Sequence, residues 1–152
     1  MGLAFSVPRD LRTRLPDSLR RIWTELQTDY GVTLPEHGSL EAWTRHGVLL
    51  LNTTLTVDEH VSYTHRGAGW VEFTDAIIAA VASKESPVAF LLWGKHAQAK
   101  TRLIEDLGQV AVPSPHPMAR LHDGFMGSQP FSKANAGLER GHADPIIWSL
   151  DD

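Results

Sequence analysis

An α/β fold with a short parallel sheet between helices is what the 152-residue sequence predicts, and two observations carry it. The runs Val48-Leu-Leu-Leu-Asn52 and Val88-Ala-Phe-Leu-Leu-Trp93 are apolar almost throughout yet too short for helices, as strands buried on both faces are. Segments with apolar residues at helical spacing alternate with them. That is the order of a three-layer arrangement in which helices cover both faces of a parallel sheet.

Taken in order, Leu19, Ile22, Trp23, Leu26 and Tyr30 form the apolar stripe of an amphipathic helix, with Asp17 or Ser18 as its cap and Gly31 as its stop. Residues 39–46 read as a second, short helix with Leu40 and Trp43 inward and Gly47 closing it, just before the strand at 48–52. A loop rich in His, Thr and Gly then leads to a third helix over 71–83, with Phe73, Ile77, Ile78 and Val81 on one face. The second strand spans 88–93. Residues 96–106 suit a helix, 109–112 a third short strand, and 131–140 a last helix stopped by Gly141. No repeat or low-complexity linker divides the chain, so one domain over 1–152 is expected.

Composition narrows the function classes. No apolar run reaches the length of a membrane span and no basic-then-apolar leader opens the chain, which predicts an intracellular, cytoplasmic protein without membrane contact. The absence of cysteine excludes disulfides, thiolate nucleophiles, cysteine-based zinc sites and iron–sulfur clusters. None of the eight histidines makes a helical His-x-x-x-His pair with a third ligand nearby, so neither a metal nor a cofactor is expected. A net charge of −4 argues against bulk electrostatic binding of nucleic acid. Residues 1–21 nevertheless hold Arg9, Arg12, Arg14, Arg20 and Arg21 against two acids, which leaves room for a local basic edge.

In open α/β sheets ligands bind beyond the carboxyl ends of the strands, so the residues that leave each strand matter most. Here they are Asn52, then Gly94-Lys95, then Pro113-Ser-Pro-His-Pro117. The Asn52 amide places a donor beside an acceptor and suits either a base edge or its own loop. His116, braced by two prolines, suits either one hydrogen bond in a fixed direction or a place in solvent. Phe5 can stack on a flat ring or simply pack, and Ser18 can bind a phosphate or cap a helix. No glycine-rich phosphate loop follows a strand, which argues against an unrelated nucleotide-binding domain.

The order and spacing of these pieces resemble the common bacterial and eukaryotic uracil-DNA glycosylase family. The resemblance lies in Gly2-Leu-Ala-Phe-Ser-Val7, Leu15-Pro-Asp-Ser-Leu19, His37-Gly38 and the highly specific Gly47-Val-Leu-Leu-Leu-Asn-Thr-Thr-Leu-Thr-Val57. It continues through His65, Gly69-Trp70, Phe73-Thr-Asp-Ala76, Phe90-Leu-Leu-Trp-Gly94, His116-Pro117, Gly124-Phe-Met-Gly127, Phe131-Ser-Lys-Ala-Asn135 and the stretch from Pro145 to Trp148. It implies base-excision repair: hydrolysis of the N-glycosidic bond of deoxyuridine in single- or double-stranded DNA after base flipping, by a monomer without metal or cofactor. By resemblance Phe5 stacks on the uracil, Asn52 reads its amide edge, and His116 stabilises the developing uracil oxyanion as a neutral imidazole. The resemblance also gives Ser18, Gly94, Lys95 and Pro117 to the DNA backbone.

Four departures accompany the resemblance. The family's Gly-Gln-Asp-Pro-Tyr-His element, whose Asp positions the attacking water and whose Tyr blocks the thymine methyl, is absent; the expectation is a domain lacking the family's amino-terminal third, its first strand included, with a gap in the core. Lys95 replaces a serine after Gly94, and Asp17 puts a carboxylate beside the phosphate-binding Ser18. The family's His-Pro-Ser-Pro-Leu-Ser wedge reads His116-Pro-Met-Ala-Arg-Leu121, so the side chain that fills the vacated stack is Leu121 by type or Arg120 by count. Two readings follow: a glycosylase, or a non-catalytic remnant that at most binds DNA weakly.

Overall fold

The computed structural model describes residues 2–10, 14–56, 66–119 and 124–150. Helix α1 (Asp17–Tyr30) starts after Pro16 and ends at Gly31, whose φ of 69° lets its N–H return to the Gln27 carbonyl. Neither Asp17 nor Ser18 caps it. Asp17 is instead the first helical residue, and its carboxylate is drawn onto Arg20 and Arg14. Leu19, Ile22, Trp23 and Leu26 are buried as expected, Tyr30 at the end of the stripe is 41% exposed, and Glu25 is buried among the apolar residues. Helix α2 (Glu41–Arg45) is shorter than the 39–46 expected, because the Ser39 hydroxyl accepts the Glu41 N–H in a turn ahead of it.

The strand expected at 48–52 is not one. These residues belong to no ladder: the Val48 N–H bonds the Trp43 carbonyl, the Leu50 carbonyl accepts the Ala4 N–H, and Leu49 is 62% exposed. Apolar sequence makes a run fit for a strand, but only a neighbouring backbone makes it one, and no described strand lies beside it.

A π-helical turn, Arg66–Trp70, leads into α3 (Val71–Ala82). Its inward face centres on Thr74, fully buried, whose hydroxyl bonds the Trp70 and Thr53 carbonyls. Phe73, expected inward, is one residue or about 100° away on the helix. It is therefore half exposed, with its ring edge-on to Trp70 at 6.1 Å. Ile77, Ile78 and Val81 are only half-buried.

Strands β1 (Ala89–Trp93) and β2 (Val110–Ser114) pair in parallel, from Ala89 opposite Val110 to Trp93 opposite Ser114. β2 runs past the expected end at 112 and through Pro113, which an edge strand tolerates because its missing N–H costs no ladder bond. Between them the single helix expected over 96–106 is two, α4 (Lys95–Gln98) and α5 (Thr101–Asp106). Lys100 at the break holds Asp75 of α3 at 2.6 Å. The last helix, α6 (Pro130–Arg140), begins on proline, whose fixed φ and absent N–H suit the first helical position.

The α/β class and the short parallel sheet flanked by helices are as the sequence predicts. By strand alternation Ala89, Leu91, Trp93, Val110 and Val112 share one face, and that face packs against Phe131 and Ala134 of α6 and the buried stripe of α1. Trp43, Phe131 and Trp148 meet at the centre with ring centroids 5.0 to 5.8 Å apart. Buried Gln109 closes the turn between α3 and β1: its amide nitrogen donates to the Ala82 and Lys84 carbonyls, and its oxygen accepts the Val88 N–H. Gln109→Leu leaves those groups without partners and should lower stability by about 2 kcal/mol in urea unfolding. A change within about 0.5 kcal/mol, the ordinary range of surface substitutions, would show that the clamp is dispensable.

Candidate active site at the carboxyl edge of the sheet

β1 and β2 finish side by side, and the Gly94 N–H donates to the Ser114 carbonyl at 2.9 Å. Glycine is needed at 94 twice over. Its φ of 90° is one that residues with a Cβ rarely adopt, and a Cβ there would stand 3.0 Å from that of His116. The end of one strand thus abuts the histidine that leaves the other.

The His116 ring is oriented by its own turn. Its Nδ1 accepts the Met118 N–H at 3.0 Å, and its carbonyl accepts the Ala119 N–H at 2.7 Å. A ring nitrogen that accepts carries no proton, so in the neutral imidazole the proton sits on Nε2 and can be donated outward. Burial pushes the His116 pKa down, because the charged form loses hydration. Both effects favour a neutral donor. Arg21, from the middle of α1, donates to the Pro117 and Ala119 carbonyls at 3.0 and 2.6 Å and so ties this turn to the core.

Phe5 stands beside this histidine, with ring centroids 5.8 Å apart, and 5.5 Å from the Trp93 ring. Its backbone is in the left-handed region, φ 63°, which is costly for a residue with a bulky side chain. The flanking residues over-determine it: the Ala4 N–H bonds Leu50, the Ser6 hydroxyl accepts the Leu40 N–H, and the Val7 N–H bonds Gly38.

Of the residues the sequence singles out, the fold gathers Phe5, Gly94 and His116, with Trp93 as a ring the sequence reading did not assign to the site. Asn52 is exposed beyond Leu51 and, among the described residues, has no hydrogen bond or ring contact with Phe5 or His116. Lys95 is exposed at the start of α4. Pro117, expected to touch DNA, is fully buried, so its ring shapes the turn instead. Ser18 is half-buried in the first turn of α1. The neighbouring Asp17 carboxyl is held below its usual pKa, first by the hydrogen bond from Arg20 and then by that residue's charge. Its charge is therefore matched by arginine rather than left to oppose an anion. Arg120 and Leu121 lie outside the described residues. Among the described residues no group of His, Asp and Glu could hold a metal ion.

The residue the sequence reading missed is Arg21. It was visible only as one of several arginines in a basic stretch, and its role depends on a turn 96 residues away.

The family model for the uracil DNA glycosylase superfamily matches residues 1–139. The chain belongs to that superfamily. The uracil-DNA glycosylases of Enterococcus faecalis and Bacillus subtilis are 48% and 45% identical to it over 152 residues, covering 99% of this chain and 66% and 67% of their own. The chain thus spans about two thirds of the length of the curated relatives it matches. The crystal structure of mimivirus uracil-DNA glycosylase superposes with a TM-score of 0.86 at 26% identity, over 99% of this chain and 60% of that one.

Two outcomes follow from the geometry around His116. His116 should titrate below an ordinary histidine and sit in the Nε2–H form at neutral pH, as imidazole ¹⁵N shifts would report. Because its folded pKa is the lower one, its contribution to stability is intact at neutral pH and lost as pH falls from the unfolded value through the folded one. Gly94→Ala should displace the ring and shift its ¹⁵N and ring-proton signals while the rest of the spectrum is retained; unchanged His116 signals would contradict the close approach.

Proposed function

We propose that this protein acts in base-excision repair on uracil in single- or double-stranded DNA, and that the pairing of Phe5 with a neutral His116 at the sheet edge is the uracil site. A base inside a duplex hides its glycosidic bond, so it must be flipped out and held by its face and its edge. Phe5 supplies the face. Asn52, with its amide exposed, supplies a donor and an acceptor side by side for the uracil edge. Cytosine reverses that pattern and would leave buried polar groups unpaired.

Cleavage sends the bonding electrons to the leaving uracil and leaves positive charge on the sugar. The Nε2–H of His116 then donates to the oxyanion as it forms, and a neutral donor does so without first being lost to solvent as a proton. The reading rests on one observation above others: Nδ1 is already occupied by the Met118 N–H, which leaves Nε2 as the donor. Arg14 and Arg20, both paired with Asp17 at the start of α1, carry more positive charge than that one carboxylate offsets and suit a phosphate beside the flipped nucleotide.

A second reading, a DNA-binding protein without turnover, is favoured by what the carboxylates do. Asp17, Glu25, Asp29 and Asp75 are each held by other partners, and none of them is bonded to His116. With no carboxylate bonded to His116 among the described residues, uracil release on this reading should fall about 10²- to 10⁴-fold below that of the Bacillus subtilis relative. The test is fluorescence anisotropy on uracil- and thymine-containing oligonucleotides, with release of free uracil measured in parallel. Tighter binding of the uracil strand, weakened by Phe5→Ala and by His116→Ala, is expected. Equal affinity for both strands would sink the uracil site, and binding with no release at all would select the second reading.

A further inference from the structure

Arg21 leaves α1 half-buried, with a charge that no acid of the chain answers. Its Nη1 donates to the Pro117 and Ala119 carbonyls, which are neutral. Among the described residues no carboxylate forms an ion pair with it. Asp17 is taken by Arg14 and Arg20, Glu25 by the Gly127 and Gln129 N–H groups, and Asp29 by those of Phe131 and Ser132. A guanidinium drawn partly out of water is normally paired, because dipoles offset only part of its lost hydration. Here the pairing anion has to come from a ligand.

The guanidinium has the means to hold one. Nη1 faces the turn, while Nη2 and Nε make no hydrogen bond among the described residues and are not sealed from solvent. Those two nitrogens form one edge of the planar group, and that edge matches two oxygens of a phosphate. Ser18 and Arg21 are three residues apart, so they are neighbours on one face of α1. The charge is felt at this end of the helix: the hydrogen bond and charge of Arg20 hold the Asp17 carboxyl below its usual pKa, and Arg14 and Arg21 add to them.

On its other side Arg21 holds the turn that aims His116. The Ala119 N–H returns to the His116 carbonyl at 2.7 Å, and the Met118 N–H lies on Nδ1 of His116 at 3.0 Å. The two carbonyls that Nη1 holds flank Met118, so a rotation of this turn carries the Met118 N–H, and the imidazole with it.

We propose that Arg21 is a positioning residue shared by two partners, the His116 turn on Nη1 and a DNA phosphate on the Nε–Nη2 edge, so that gripping the strand fixes the direction of His116. This rests on the reading of the protein as one that binds DNA, and not on which base it takes. A point charge would hold the phosphate alone; the planar group passes its placement on to the turn. The contact carries no sequence information, since every nucleotide presents the same phosphate.

The test titrates a short single strand of tetrahydrofuran abasic units, which offers phosphates and no base, onto the 152-residue chain at several salt concentrations. Arg21→Gln should make the slope of log affinity against log salt shallower by about 0.7, the share of one phosphate contact on a single strand. The strand should shift the His116 ring ¹⁵N signals in the wild-type chain and leave them unmoved in Arg21→Gln. Arg21→Lys should keep the wild-type slope but lose the His116 response; should the Gln variant not fold, the Lys variant decides. A Gln variant with the wild-type slope would overturn the phosphate contact. His116 signals that ignore the strand in the wild-type chain, or follow it in the Lys variant, would overturn the coupling, and no binding of the abasic strand would overturn both. Binding as described, with equal affinity for uracil and thymine strands, would support the role of Arg21 and sink only the uracil site.

Discussion

The seat of α1 is the constraint on which the rest of the molecule depends. Its buried Glu25 carboxylate accepts the Gly127 and Gln129 N–H groups at 2.6 and 2.8 Å. One turn later Asp29 accepts those of Phe131 and Ser132 at 2.9 and 3.0 Å. A buried carboxylate is tolerated only where hydrogen bonds replace its lost hydration. Here they come from backbone groups at the start of α6, which no local side chain caps. Negative charge near a helix amino terminus is favourable in its own right. One helix thus fixes where another begins, across about a hundred residues of chain.

The same helix also reaches the site. Arg21 lies one turn before Glu25 and holds the carbonyls of the turn that carries His116. Because Glu25 and Asp29 set α1 against α6, and α6 lies across both strands, the Arg21 fork and the strand ends are referred to one frame. Aromatic packing completes the connection: Trp148 touches Phe131, Phe131 touches Trp93, Trp93 touches Phe5, and Phe5 touches His116. Rings at such separations have few alternative arrangements, so the position of Phe5 is inherited from the core rather than chosen by its loop.

The sequence was informative wherever a single segment decides the outcome. The apolar stripe and glycine stop of α1, the apolar run of β1 and the proline-braced His116 are local patterns, and each has its expected place. It was uninformative where the partner decides. The run at 48–52 has the composition of a strand, but a strand also needs a neighbour. Glu25 reads as a surface residue because a carboxylate in a helix usually is one, and only the amides of a distant turn make its burial affordable. Phe73 failed for a smaller reason: on a helix with mean apolar character on several sides, periodicity alone does not choose between adjacent residues, and the Thr74 hydroxyl bonds did. The family motifs succeeded in bringing Phe5 and His116 together because their order records contacts that periodicity cannot.

β1 links the core to the site. Its carboxyl end delivers Gly94 against His116, one edge is bonded to the strand that carries His116, and the other edge has no partner strand among the described residues. A strand paired on one side only keeps more freedom to bend and slide than one held on both, and four of its five residues here are only partly buried. Displacement of β1 along its axis would move Gly94 relative to the histidine, where a Cβ would already stand only 3.0 Å away. The geometry of the site is therefore tied to whatever lies along the free edge, even though no residue of that edge need touch the base. A centre that works by holding a neutral donor in one direction tolerates little such movement, since a misplacement of about 1 Å can cost about a hundredfold in rate.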